Sequence, residues 1–293
     1  MRRADRAGYG VQVLQEAFQS AGVRRVVLGV PDPRLRPHVM GYCGYSESGS
    51  GLIRRVQVPS PGVGLIVGFG PPVQIAYPRH PAGSMAHATS FVAGLHDSHA
   101  IAESAGQQGV QISLTPLGAY MVLGVPMDTL ANRAVELEQV LGGFAARLTE
   151  QLYETPTWEA RFRVLDAVLA RRLAAAREPS PAVSWAWRRL IETSGRLDIR
   201  TLTDELGSSR QYLVGRFRKE LGLPPKTLAR ILRLQSAIRL LEHDGHPSLT
   251  EVALESGYFD QAHFNRDFRT LTGSTPTEFL AGRLPDGAGV VCR

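Results

Sequence analysis

The stretch Ser209-Arg210-Gln211-Tyr212-Leu213-Val214-Gly215-Arg216-Phe217-Arg218-Lys219-Glu220-Leu221-Gly222-Leu223-Pro224-Pro225 is answered about 51 residues later by a second one. That copy reads Asp260-Gln261-Ala262-His263-Phe264-Asn265-Arg266-Asp267-Phe268-Arg269-Thr270-Leu271-Thr272-Gly273-Ser274-Thr275-Pro276. Ser209, Leu213, Phe217, Arg218, Gly222 and Pro225 correspond in order to Asp260, Phe264, Phe268, Arg269, Gly273 and Pro276. Each copy begins on a side chain that can cap a helix, carries apolar residues four apart, and stops at Gly and Pro. The pattern predicts two short helices of one design, each with an inward stripe and a polar outer face.

Gly207-Ser208 joins the first copy tightly to a preceding helix over Ile199–Leu206, which makes a helix–turn–helix. With Leu213, Phe217 and Leu221 inward, Arg210, Gln211, Val214 and Arg218 fall outward. With Phe264, Phe268 and Leu271 inward, Gln261, Asn265, Arg266 and Arg269 fall outward, and His263 lies at the margin. Arg, Gln and Asn near a helix N-terminus supply the donors and acceptors that pair with base edges in a major groove. Arg218 and Arg269, one turn further on, stand where phosphates would run. One such pattern is common on ordinary solvated helices; the duplication is what carries the reading. Between the copies, Lys226–His243 reads as one long helix with Leu228, Ile231, Leu234 or Gln235, Ile238 and Leu241 inward. At 1.5 Å per residue it spans about 27 Å, enough to hold two probes near the ~34 Å repeat of duplex DNA.

Residues 183–283 resemble the DNA-binding domain of AraC/XylS-type transcriptional regulators. The matching stretches are Ser209 to Pro225, Arg233-Leu234-Gln235 to Leu241, and Val252 to Phe279. The densest is Gly257-Tyr258-Phe259-Asp260-Gln261-Ala262-His263-Phe264, continued by Phe268-Arg269, Gly273 and Thr275-Pro276. The resemblance covers about a third of the chain. It implies two helix–turn–helix units joined by a long helix, each placing a recognition helix in adjacent major-groove segments of double-stranded DNA. Carried over by position, base contacts come from Gln261, Ala262 and Arg266, supported by Asn265 or His263, and in the first unit from Arg210, Gln211 and Val214. Phosphate contacts are expected from Arg218, Lys219, Lys226 and Arg269. Where the family usually has Arg two residues before the Phe, as Arg266 stands before Phe268, the first unit has Gly215. The first unit is therefore expected to read fewer bases, or Arg216 to compensate by reaching a phosphate.

The rest of the chain is less explicit. With 293 residues there is room for two domains. A net charge of +6 and a pI near 9.7 favour an anionic partner only weakly, because the excess is shared evenly by both parts of the chain. No apolar run is long enough to span a membrane and no secretory signal follows Met1-Arg2-Arg3. The only cysteines, Cys43 and Cys292, form neither a disulfide framework nor a metal set. A cytoplasmic protein is expected, with no membrane partner.

Residues 1–25 are expected to be an N-terminal arm, disordered at its start, with one short helix over Val11–Ala21. A regulatory or dimerisation domain follows over 26–178. Its strand-like runs are Val26–Val30, Ile53–Val58, Val63–Phe69, Val73–Tyr77 and Val110–Leu114, separated by Gly, Pro and Ser clusters that predict a sandwich or barrel. From Pro116 the period turns helical, over Leu117–Leu123, Leu130–Leu141, Phe144–Tyr153 and Trp158–Ala176. Residues 179–182 read as a linker, 183–284 as the DNA-binding domain and 285–293 as a flexible tail. The fold class is α+β: a β-rich domain with a helical tail, then an all-α domain of two helix–turn–helix units.

Tyr42, Tyr45, Phe69, Tyr77 and Phe91 either line a small-molecule cavity in the β core or simply fill it. Phe144, Leu148, Leu152, Phe162, Leu165 and Leu169 form stripes for a partner helix, as in a homodimer, or for this domain's own sheet. His96-Asp97-Ser98-His99 lacks a carboxylate at metal-ligand spacing, so neither metal nor cofactor is expected. A nucleophile with a positioned base is not recognisable either, which argues against an enzyme. The expected partners are double-stranded DNA, RNA polymerase where the protein activates, and a small-molecule effector.

Overall fold

Strand alternation in the β-rich region gives its larger sheet two buried faces. In the computed structural model, which describes residues 11–19, 22–48, 51–242, 245, 247–282 and 290–291, that sheet has seven antiparallel strands. Their ranges are β1 (Val11–Gln19), β2 (Gly22–Gly29), β3 (Val39–Ser48), β5 (Val63–Gly68), β8 (Phe91–Ala93), β10 (Gln108–Leu114) and β11 (Ala134–Glu136). The order across the sheet is β1-β2-β3-β10-β5-β8-β11. A second sheet takes β4 (Ile53–Gln57), β6 (Val73–Ala76), β7 (Met85–Ala88), β9 (Ala100–Ser104) and β12 (Val290–Val291), in the order β12-β4-β9-β6-β7.

Val63, Leu65 and Val67 of β5 and Val110, Ile112 and Leu114 of β10 point to a helical layer and are buried. Ile66 and Phe91, on the other face, pack with Val73 and Ile75 of the second sheet. Both faces of β5 being covered explains why Leu65-Ile66-Val67 is apolar without interruption. The helical layer consists of α1 (Pro116–Leu123), α2 (Leu137–Leu141), α3 (Gly143–Glu154) and α4 (Trp158–Ala174). Helix α4 lies so close to β2 and β3 that a Cβ on Gly29 would collide with the Phe162 ring, and one on Gly44 with Trp158. Leu148, Leu152, Phe162, Leu165 and Leu169 are all buried in this core, with Phe144 packed at its edge. The helical stripes thus face the domain's own sheet and not a partner helix.

Two helical expectations fail. Val11–Gln19 is a strand that pairs from Val11 opposite Gly29 to Gln19 opposite Gly22. A register shift between Leu14 and Glu16 breaks its alternation, which is why the stretch mimics a helical pattern. A helix of about eleven residues is marginal alone, and pairing along β2 overrides it. Leu130–Leu141 is also not one helix: Asn132 has φ 56°, and β11 then pairs with β8, Ala134 opposite Ala93. Only Leu137–Leu141 is helical, as α2.

Residues 1–8, expected to be disordered, lie outside the described residues, as do 285–289 and 292–293 of the tail. Within the stretch expected to be a flexible tail, Val290–Val291 pair with Val56 and Arg55 along the edge of β4.

The C-terminal helices are α5 (Pro181–Glu192), α6 (Ile199–Leu206), α7 (Arg210–Leu221), α8 (Pro225–Leu241), α9 (Leu249–Glu255), α10 (Gln261–Thr272) and α11 (Pro276–Ala281). They do not share one core. Leu202, Leu213, Phe217, Leu221, Leu228 and Ile231 are continuous with the core of the N-terminal helical layer. Leu234, Ile238, Leu241, Val252, Phe264, Phe268 and Leu271 form a separate cluster. Helix α8 therefore has one half in each core, and the first helix–turn–helix is welded to the N-terminal domain.

Candidate nucleic-acid interface

Each unit is assembled from local signals. Helix α6 is capped by Asp198, whose Oδ1 accepts from Arg200 N at 2.9 Å, and ends at Gly207 with φ 59°. Ser209 then caps α7, its Oγ accepting from Tyr212 N at 3.2 Å. In the second unit Ser248 and Glu251 form a reciprocal capping box at the start of α9. Those hydrogen bonds hold the Glu251 carboxyl below its ordinary pKa. Asp260 caps α10, its Oδ1 accepting from His263 N at 2.6 Å. The duplicated apolar residues Leu213, Phe217, Phe264 and Phe268 are all fully buried, as their spacing demanded.

The reading positions behave less uniformly. Arg210, Gln211, Ala262 and Arg266 are exposed, while Val214, Gln261, His263 and Asn265 are half-buried. Thr250 Oγ1 donates to Gln261 Oε1 at 2.8 Å, so α9 orients the Gln261 amide. The Asn265 Oδ1 is turned inward, without a hydrogen-bond partner. His263 stands edge-on to the Tyr258 ring, centroids 5.4 Å apart. Gly215 faces open space, with nothing near a would-be Cβ. Arg218, Lys219, Lys226 and Arg269 are exposed on the flanks. Arg216 differs from them: it pairs with buried Glu220 one turn on in α7.

Glu220 is one residue that sequence reasoning missed. Its Oε2 accepts from Ser180 N at 2.9 Å and from Ser180 Oγ at 3.1 Å, and Ser180 is itself the cap of α5. The expected linker is thus tied to the first reader helix. The i,i+4 spacing of Arg216 and Glu220 was a usable signal. The equivalent tie in the second unit, Arg230 to Asp267, joins α8 to α10 across 37 positions and leaves no local trace.

The N-terminal domain holds both reader helices at their C-terminal ends. Helix α1 and the 3-10 turn Met127–Thr129 pack against α7. Arg79 Nη1 donates to Thr270 O at 3.3 Å, a cation on the carbonyl end of α10, and the His99 ring lies against Gly273. Gln235 Nε2 donates to Pro59 O at 2.7 Å, and Val56 and Val58 pack on the second core.

Between the two sheets lies a cavity of about 270 Å3. Of the five aromatic candidates, Tyr45, Tyr77 and Phe91 line it. Tyr42 does not: it is stacked on Phe162 in the helical core, its hydroxyl 2.7 Å from Asp166 Oδ1. Phe69 lines an open groove on the surface together with Tyr153. The polar lining, missed from the sequence, is led by Arg55, which donates to Glu47 Oε1 at 2.7 Å and to Ser104 Oγ at 3.3 Å. His96 also lines the cavity, with Nδ1 2.6 Å from Ser98 O, and its burial pushes the ring pKa down. His99 faces α10 instead, so the two histidines of His96-Asp97-Ser98-His99 do not converge. Among the described residues no helix is long and apolar enough to cross a membrane.

Residues 202–282 match a family model described as a helix-turn-helix domain. The HTH-type transcriptional activator RhaS of Escherichia fergusonii is 30% identical over 204 residues, covering 66% of this chain and 65% of the relative. The chain thus spans a little under two thirds of that curated relative's length. Among solved structures, ToxT from Vibrio cholerae aligns with 82% of this chain and 97% of its own at 12% identity, with a TM-score of 0.48. A probable AraC family transcriptional regulator from Rhodopseudomonas palustris aligns at 32% identity with 35% of this chain and 96% of its own, with a TM-score of 0.31.

Proposed function

With this chain a member of the AraC/XylS family of transcriptional regulators, we propose that it binds specific duplex DNA through α7 and α10 under the control of a small molecule held between its sheets. In this reading Arg210, Gln211 and Val214 face one major-groove segment, and Gln261, Ala262, His263, Asn265 and Arg266 face the next. Arg218, Lys219, Lys226 and Arg269 lie along the phosphates, and Arg216 joins them only by leaving Glu220.

The observation that carries the regulatory half is strand β4. Arg55 and Gln57 line the cavity, whereas Val56 between them packs on the core of the second unit. A ligand that shifts β4 therefore acts on the seat of α10 through Val56 and the neighbouring Val58. The first unit, which shares its core with the N-terminal domain, has no such movable seat. RNA polymerase is the further partner where binding leads to activation.

The test is selection of DNA sites from a random pool by the full-length chain, followed by binding of the enriched site with and without metabolites that raise the chain's thermal stability. A ligand that binds only the folded form raises the melting temperature by mass action. Failure to enrich any sequence refutes DNA reading; stabilising metabolites that never alter affinity for the enriched site refute the control.

A further inference from the structure

Phe259 is 86% exposed, more than any other large apolar side chain among the described residues. It sits directly before Asp260, the cap of the second reader helix. We propose that Phe259, together with Ala262, is an apolar reader of a thymine C5-methyl group in the DNA segment facing the second unit. This inference rests on the DNA-binding reading given above and assigns a base-specific contact within it.

An apolar residue just before a helix cap ordinarily folds back onto the fourth residue of the helix as a hydrophobic staple. Here that residue is Phe264, which is fully buried. Its ring is met by Tyr258, centroids 5.2 Å apart. Tyr258 is also held from the other side by the Arg233 guanidinium, 5.3 Å from its ring. The inward place is occupied, so Phe259 has no intramolecular use, and the turn at Gly257 (φ 81°) directs it outward. Leaving a phenyl ring in water is unfavourable, and a compensating contact must come from outside the fold.

What surrounds Phe259 chooses the occupant. Gln261, Ala262 and Arg266 stand at the same end of α10 or one turn on, and Ala262 and Arg266 are exposed. The exposed Arg196 lies across the Gly257 turn, where its side chain would meet a Cβ on that glycine. An aromatic ring framed by arginines and amides is suited to a surface that is anionic with small apolar spots. The major groove offers one apolar feature, the thymine methyl, which Ala and Phe side chains contact. A protein partner would instead require a wider apolar patch. The position corresponding to Phe259 in the first unit is Ser208, so only the second unit carries this reader.

The experiment uses the site enriched by the full-length chain. Each thymine in the segment facing the second unit is replaced by deoxyuridine, which lacks only the methyl group. Wild-type protein is expected to lose about three- to tenfold in affinity at one such position, the scale of burying a methyl group or slightly more. Phe259→Ala is expected to bind the thymine site more weakly and to lose most of the discrimination against deoxyuridine there. Phe259→Leu should keep part of the preference, and Ala262→Gly should lose part of it. If Phe259→Ala shows the same thymine-to-deoxyuridine ratio as wild type, the proposal is wrong. It is equally wrong if the substitution abolishes transcription or self-association while leaving DNA affinity intact. A pool that never enriches overturns the DNA-binding reading and this one with it, whereas an enriched site with no coupling to residue 259 overturns this one alone.

Discussion

Glu220, buried in α7, accepts two hydrogen bonds from Ser180, the residue that caps α5. The same carboxylate holds Arg216 on its other oxygen. A single acid thus ties α7 to α5 and holds an arginine of its own helix. Glu220→Ala leaves the Ser180 donors unmet and is expected to cost about 1–3 kcal/mol. Glu220→Gln retains an acceptor and should cost less. Urea unfolding checks both; an unchanged midpoint for Glu220→Ala would mean that the tie carries no stability.

The Arg55–Glu47 pair is almost wholly withdrawn from water. Removing one partner from a buried pair typically costs about 3–5 kcal/mol, because a buried charge loses a close counter-charge. Arg55→Met is therefore expected to destabilise strongly, and Glu47→Gln combined with it to recover much of the loss. Thermal unfolding of the two variants decides the matter, and equal losses for the single and the double variant would contradict it.

Gly215 lies in the interior of α7 with open space where a side chain would be. Gly215→Ala should stabilise the chain by up to about 1 kcal/mol, the helix-propensity difference. Gly215→Arg should in addition tighten DNA binding, by supplying to the first unit the group that Arg266 supplies to the second. Gel-shift titration on the enriched site would read this, and unchanged binding by the Arg variant would show that residue 215 faces no DNA.

The second unit should dominate specificity. Arg266→Ala is expected to lose about 1–3 kcal/mol of binding on the loss of one bidentate base contact, with Gln211→Ala losing less. Arg269→Ala should weaken all sequences alike and reduce the slope of log affinity against log salt by about one. A sequence-dependent effect at Arg269 would move it from the phosphates to the bases.

Acid should loosen the β sandwich. Burial holds the His96 ring pKa below its usual 6.5, so below that pH the unfolded chain takes up a proton that the folded one refuses. The stability from a neutral His96 is complete above pH 6.5 and is lost as pH falls, by at most about 1.4 kcal/mol per pH unit. His96→Asn, which keeps a donor for Ser98 O, should flatten the acid limb of stability against pH. Urea midpoints at pH 7.5 and 5.5 measure it, and an unaltered acid limb would place the proton uptake elsewhere.

The duplicated stretches were legible because their signals are local. A cap, a stripe four residues apart and a Gly-Pro stop specify a helix from within one segment, and Ser209, Phe217, Asp260 and Phe268 all lie where their spacing put them. Val11–Gln19 was misread for the converse reason. Its structure comes from β2 and a bulge, and a bulge shifts the strand period until it resembles a helical one. The aromatic candidates divided likewise: alternation told which residues are apolar, but not which side of the larger sheet each one faces, so Tyr42 went to the helices and Tyr45 to the cavity.

The sequence by itself determined that there are two helix–turn–helix units of one design joined by a long helix, and which of their apolar residues are buried. Tertiary structure alone decided that the first unit is fused to the N-terminal core while the second rests on β4, and that Arg216 is held by Glu220. It also decided that Tyr258 takes the inward place and leaves Phe259 in water. The physical reason is range. Helix periods and caps act over three or four residues, whereas Arg230 with Asp267, Gln235 with Pro59 and Val56 with the second core are contacts between segments that meet only when the chain has packed.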